Sequence, residues 1–189
     1  KVTQDLNILM DLAADWALKR ELAGFGAAEL PALKLLSVVL EHQIQSDSLK
    51  QDFGASAQAG TLFRIYKESG QLVYCAPFSD LKDTLAVRQY LEQSIQSLLQ
   101  SGINSQALNK AKEAVSATHL KKLNRLGFLD SRVELLGEGL LYLDDPDYYL
   151  TSITQLLDVT PQEVNKVARK WLSKPRSEVL LIGQPEKQP

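Results

Sequence analysis

Val159-Thr160-Pro161-Gln162-Glu163-Val164-Asn165-Lys166-Val167-Ala168-Arg169-Lys170-Trp171-Leu172 is the stretch whose reading decides the fold. Thr160 and Glu163 stand at the spacing of a capping box, in which a hydroxyl and a carboxylate each bind the other's backbone N–H. Pro161 falls on the first helical position, where its missing N–H is no loss and its fixed φ suits the helix. Val164, Val167, Ala168 and Trp171 recur at spacings of three and four, so this helix buries one face. The next apolar run, Glu178-Val179-Leu180-Leu181-Ile182, is too short for a helix and fits a buried strand. A sharply started amphipathic helix followed by a strand predicts helices lying on a sheet.

Upstream, Asp145-Pro146 predicts a short helix with proline at its first position, and residues 129–143 predict another. Asn104 caps a helix with Leu108, Ala111, Val115 and Thr118 on one side. Leu81, Leu85, Leu91, Ile95, Leu98 and Leu99 stripe a helix from Ser79 to Gly102. Residues 55–67 and 71–76 predict a hairpin joined at Glu68-Ser69-Gly70, with Pro77 ending its second strand. Residues 45–52 are polar and predict a loop. Residues 28–45 predict a helix, Pro31 in its first turn and Leu33, Leu36, Leu40 and Ile44 inward. Residues 5–16 carry Leu6, Leu9, Met10, Ala13 and Trp16 at helical spacing. Residues 17–23 suit a short strand or a helix continuation equally, and Gly24 and Gly26 then break the chain. The order predicts an α+β fold: a two-layer sandwich, mainly antiparallel sheet with helices packed on one face. Residues 1–189 read as one domain, with a core at 28–183, a partial N-terminal element at 1–26 and a tail at 184–189.

Composition narrows the chemistry. The 189 residues carry 21 basic and 23 acidic side chains, a net charge of −2, which argues against nucleic-acid binding by a basic surface. One cysteine, Cys75, permits no intrachain disulfide, and two histidines, His42 and His119, cannot build the usual zinc sites. No apolar run approaches the roughly 20 residues of a transmembrane helix. The first residue, Lys1, reads as the start of a chain already processed or cut. There is no Walker loop, no G-x-G-x-x-G and no G-x-S-x-G. His119 reads as a surface or packed helix residue, and Cys75 as a small buried hydrophobe.

Val38-Val39-Leu40-Glu41-His42 comes nearest to a catalytic motif. In H-x-x-E-H two histidines one turn apart hold zinc, and the glutamate between them polarises the bound water. Here Glu41 and His42 match, but Val38 stands where the first ligand belongs. One histidine does not hold catalytic zinc.

Several ordered motifs resemble the insulinase/pitrilysin family of zinc metallopeptidases. Gly102-Ile103-Asn104-Ser105-Gln106-Ala107-Leu108-Asn109-Lys110-Ala111-Lys112 looks like its "G-V-T-x-x-E-L-x-x-A-K" helix start, with Asn104 at the capping threonine. Ser131-Arg132 followed by Leu136-Gly137 is similar to "S-R-x-x-x-L-G", and Asp144-Asp145-Pro146-Asp147-Tyr148 to "G-D-P-x-Y". Residues 159–172 resemble "V-T-P-E-D-V-x-x-V-A-R-K-Y-L", and the closing strand ending at Gly183 also fits. The match runs over residues 28–183.

This family is built of homologous halves, one with H-x-x-E-H and one without. The resemblance is to the non-catalytic half, and it implies an α+β sandwich with no zinc in this chain and zinc in a partner half. The non-catalytic half usually offers an arginine and, seven residues later, a tyrosine to the substrate. Lys50 stands at the arginine position, keeping the charge without the bidentate fork, and Ala57 at the tyrosine position, with no hydroxyl to donate. The resemblance thus implies an H-x-x-E-H partner, in the same polypeptide or a separate subunit, and a peptide or small-protein substrate. It leaves a homo-oligomer open, and it leans towards the bacterial periplasm or cytoplasm. The loss of the Arg/Tyr pair points instead to a structural or assembly subunit that keeps the fold without proteolysis. A stand-alone peptide-binding module using a sheet edge is the third reading.

Overall fold

The computed structural model of the chain describes residues 14–44, 60–78, 81–127, 131–173 and 177–182. The elements in order are β1 (Ala14–Ala23), α1 (Leu30–Ile44), β2 (Gly60–Ile65) and β3 (Ser69–Phe78), then a single 3-10 turn at Leu81–Asp83. There follow α2 (Thr84–Ser101), α3 (Ser105–Asn124), α4 (Arg132–Leu143), α5 (Tyr148–Asp158), α6 (Pro161–Leu172) and β4 (Ser177–Ile182). The four strands form one sheet in the order β2-β3-β1-β4, and every pairing is antiparallel.

β1, with β3, is one of the two inner strands. It pairs with β3 from Ala14↔Phe78 to Ala23↔Ser69 and with β4 from Ala14↔Ile182 to Lys19↔Ser177. This corrects the helix expected over residues 5–16: Ala14, Asp15 and Trp16 are strand, while 5–13 lie outside the described residues. The spacing of Ala13 and Trp16 is a local signal, and pairing on both sides overrides it. The same pairing makes residues 17–23 a strand.

α1 is buried on almost every side, at Leu30, Ala32, Leu33, Leu35, Leu36, Ser37, Val39, Leu40 and Ile44. A helix apolar all round belongs at the centre of a protein. Beneath it lies the sheet face carrying Leu22, Leu72, Tyr74 and Ala76. α2 and α6 flank α1 on the sheet, whereas α3, α4 and α5 pack chiefly on α1 and on one another. The α+β class therefore holds, but the two-layer sandwich does not describe the balance: the sheet is small, and the helices rise in a second tier above α1. On the opposite sheet face Val73 and Cys75 form a small separate cluster with Leu62. Among the described residues no helix is long and apolar enough to cross a membrane.

Five other expectations shift. The hairpin turn is Tyr66-Lys67-Glu68, closed by the Tyr66 N–H on the Ser69 carbonyl at 2.7 Å, so Ser69 and Gly70 belong to the strand. Pro77 does not end β3 but pairs within it, opposite Asp15 of β1. Leu85 is 67% exposed, because the buried stripe of α2 runs through Val87, Leu91, Ile95 and Leu98, on the far side of the helix from Leu85. Thr118 is exposed as well. Pro146 precedes its helix rather than opening it. Asp145 Oδ1 accepts the Asp147 N–H at 2.9 Å, making a side-chain turn, and α5 begins at Tyr148. The predicted loop at 45–52 lies outside the described residues, and β4 stands at the sheet edge among the described strands.

The caps form as their chemistry demands. Asn104 Oδ1 accepts the Ala107 N–H at 2.9 Å. Thr160 Oγ1 accepts from the Glu163 N–H at 3.3 Å, and Glu163 Oε2 accepts from the Thr160 N–H at 2.7 Å. Between α3 and α4, Arg132 Nε and Nη2 donate to the Leu123 carbonyl at 2.9 and 2.6 Å, and buried Ser131 donates to the Gly127 carbonyl. Asn165, on α6, grips the joint between α2 and α3. Its Oδ1 accepts the Ile103 N–H at 2.8 Å, and its Nδ2 donates to the Ile103 and Pro161 carbonyls at 2.9 and 2.8 Å. Gly102, with φ +73°, turns the chain into this grip, and a Cβ there would sit 3.2 Å from Asn165 Oδ1.

Asn165→Ala strands the half-buried Ile103 N–H and carbonyl, and is expected to lower stability by about 2 kcal/mol, read as a drop in the urea midpoint. The Glu163 carboxyl is held below its ordinary pKa by hydrogen bonds from Thr160. A depressed folded-state pKa stabilises above the unfolded value of about 4.3 and is lost as pH falls through the folded one. The stability difference between the wild type and Glu163→Gln is therefore expected to be full at neutral pH and to vanish on acidification.

Candidate functional site

The catalytic-motif remnant lies on the C-terminal half of α1. Val38 packs against the core, Glu41 is half-buried and His42 is exposed. Among the described residues no three of His, Cys, Asp and Glu converge as a metal set would require. Lys50 and Ala57 lie outside the described residues. Cys75 is buried, its Sγ 3.4 Å from the Gly60 carbonyl oxygen, in the role of a small hydrophobe.

His119 is half-buried on α3 and faces a pocket of about 310 Å³ between α1, α3, α4 and α5. Burial first, then the ammonium groups of Lys34 and Lys122, hold its imidazole below the ordinary histidine pKa. Lys122 is neutralised in place by Glu134 at 2.6 Å. Lys34 enters from α1, its Nζ 5.7 Å from the centre of the Phe25 ring. Burial pushes its pKa down, opposed by the negative charge of Glu138. Tyr148 adds a phenol whose pKa is raised by burial and by Glu138. Val38, Phe63 and Ile153 supply apolar wall. The pocket thus offers both signs of charge in a largely apolar surround.

Sequence reasoning passed over Lys34. The signal was present: a lysine inside Leu33-Lys34-Leu35-Leu36, on a helix otherwise buried nearly all round. Such a side chain reaches solvent only through a gap between neighbours.

A wider cleft of about 1010 Å³ opens between the β1–α1 connection, α5 and α6. Its side wall is a polar latch. Lys170 Nζ lies 2.9 and 2.8 Å from the Glu29 oxygens, and Trp171 Nε1 donates to Glu29 Oε1 at 2.9 Å. Lys170 also sits 4.9 Å from the centre of the Trp171 ring. These contacts fix the start of α1 to the end of α6. They read as structural, since the Glu29 carboxylate is held by both Lys170 and Trp171.

No sequence-family profile matches the chain, and no curated protein matches it. Solved structures do. An inactive peptidase domain assigned to a zinc protease of Bordetella parapertussis superposes with a TM-score of 0.74 at 14% identity, covering 94% of each chain. A peptidase M16 inactive domain from Pseudomonas fluorescens gives 0.70 at 13% identity, over 92% of this chain and 43% of that one. A chain of Complex III2 from Candida albicans gives 0.70 at 12% identity, over 88% of this chain and 42% of that one. The chain thus spans less than half the length of the two longer structures. The resemblance to the non-catalytic insulinase-type half holds at the level of architecture: this chain has the fold of an inactive M16 peptidase domain.

Proposed function

We propose that this chain is the non-catalytic half of an insulinase-like zinc metallopeptidase. It pairs with an H-x-x-E-H half and closes the chamber in which a peptide is cut. The observation that carries this reading is the match to an inactive peptidase domain over 94% of both chains. It is joined to a helix α1 that bears Val38 where a first zinc ligand would stand. Zinc, the polarised water and the general base would belong to the partner half. This half contributes shape and the exclusion of water. On this reading Lys50 offers one positive charge to the bound peptide, and Ala57 offers no phenol.

A second reading is supported by the Complex III2 match: a subunit that keeps the fold for assembly alone. Two measurements separate the readings. Metal analysis of the purified chain is expected to find no stoichiometric zinc, and His42→Ala to leave that result unchanged. Mixing or co-expression with the H-x-x-E-H half encoded in the same polypeptide or operon is expected to give a complex in sedimentation analysis that cleaves peptides. A stable complex without cleavage would favour the assembly reading. One tight zinc per isolated chain, with activity, would overturn both.

A further inference from the structure

We propose that the pocket between α1, α3, α4 and α5 receives an acylated α-amino carboxylate, the chemical group at the free C-terminus of a peptide. The carboxylate would lie on Lys34 Nζ, the neighbouring amide N–H on the Glu138 carboxylate, and an apolar side chain against Val38, Phe63 and Ile153.

The pocket is built unlike an ordinary surface dimple. Five ionisable side chains from three helices line it: Lys34, His119, Lys122, Glu134 and Glu138, with the Tyr148 phenol beside them. Lys122 and Glu134 pair directly. Lys34, His119 and Glu138 make no direct hydrogen bond or ion pair to any described residue. Lys34 and Glu138 feel each other's charge but stand too far apart to touch. Lys34 meets only the Phe25 ring, and a partly buried cation and anion with no direct polar partner among the described residues are costly unless water or a ligand completes them.

The missing partners define the ligand. It needs an anionic acceptor for Lys34 and a donor for Glu138, held a short distance apart. It also needs an apolar portion for the wall. An α-acylamino carboxylate has all three on adjacent atoms. A simple inorganic anion lacks the apolar part and carries no amide N–H to offer Glu138. The volume of about 310 Å³ is at the small end of ligand sites, enough for one terminal residue. The burial that lowers the Lys34 pKa also strengthens a charge-assisted hydrogen bond once a carboxylate arrives.

The test compares N-acetyl-leucine with N-acetyl-leucinamide by calorimetry and by NMR of lysine side chains labelled at Cε. The acid is expected to bind at least about tenfold more tightly than the amide, the equivalent of one charge-assisted hydrogen bond. Its binding should also move the Lys34 titration upward in pH. Lys34→Met should abolish that preference for the acid, and Lys34→Arg should retain it, with circular dichroism confirming that each variant is folded. Equal binding of acid and amide, or no shift of the Lys34 resonance at millimolar ligand, would overturn the proposal on the wild-type protein alone. A pentapeptide ending in leucine and its C-terminal amide identify the source of the group. Tighter binding of the free-ended peptide points to peptide termini, and tighter binding of N-acetyl-leucine to a free acylated amino acid. Either ranking supports the carboxylate site. Pairing with a zinc half is read by sedimentation, so failure of this site would leave that reading standing.

Discussion

Helix α1 must be enclosed, and the rest of the molecule is arranged to do it. Leucines at 30, 33, 35, 36 and 40 cover most of its circumference, leaving the side of Lys34 and His42 open, and all are essentially out of water. At about 25 cal/mol per Å² of apolar surface, no single neighbour buries enough of such a helix. A sheet covers one side, α2 and α6 close the flanks, and α3 to α5 form the roof. Ser37 shows how closely the sheet is drawn in: its hydroxyl turns back to the Lys34 carbonyl at 2.8 Å, and its own carbonyl accepts from Thr61 of β2 at 3.2 Å.

The motifs that carry the family resemblance turn out to be joints. Asn104 starts α3, Ser131 and Arg132 hold the α3–α4 corner, Asp145 turns the chain into α5, and Thr160 with Glu163 starts α6. Each ties down backbone at a helix end or in the connection just beyond it. The motifs therefore speak to how the roof over α1 is assembled, and the chemistry has to be argued from α1 and its pockets.

This explains what was legible in the sequence. Caps at Asn104 and Thr160 could be read because capping is settled within four residues. The face of α6 was readable because one helical period runs unbroken from Val164 to Trp171. β1 was not, since its identity as a strand depends on partners near positions 75 and 180 that no local window contains. Leu85 was misjudged because an apolar residue on a helix does not declare which side is covered. The missing zinc ligand was plain at Val38, whereas the Lys34 pocket depends on four helices meeting.

The placement of β1 bears on how the protein reaches its native state. An inner strand from the beginning of the described chain is bonded on one edge to a strand from its very end. Such pairing raises contact order, and the entropy of closing so long a loop is lost before the reward arrives. On the ribosome β1 can pair with β3 early, but its other edge stays open until β4 emerges. During that interval the nascent chain exposes an unsatisfied strand edge, the feature that chaperones recognise and that aggregation exploits.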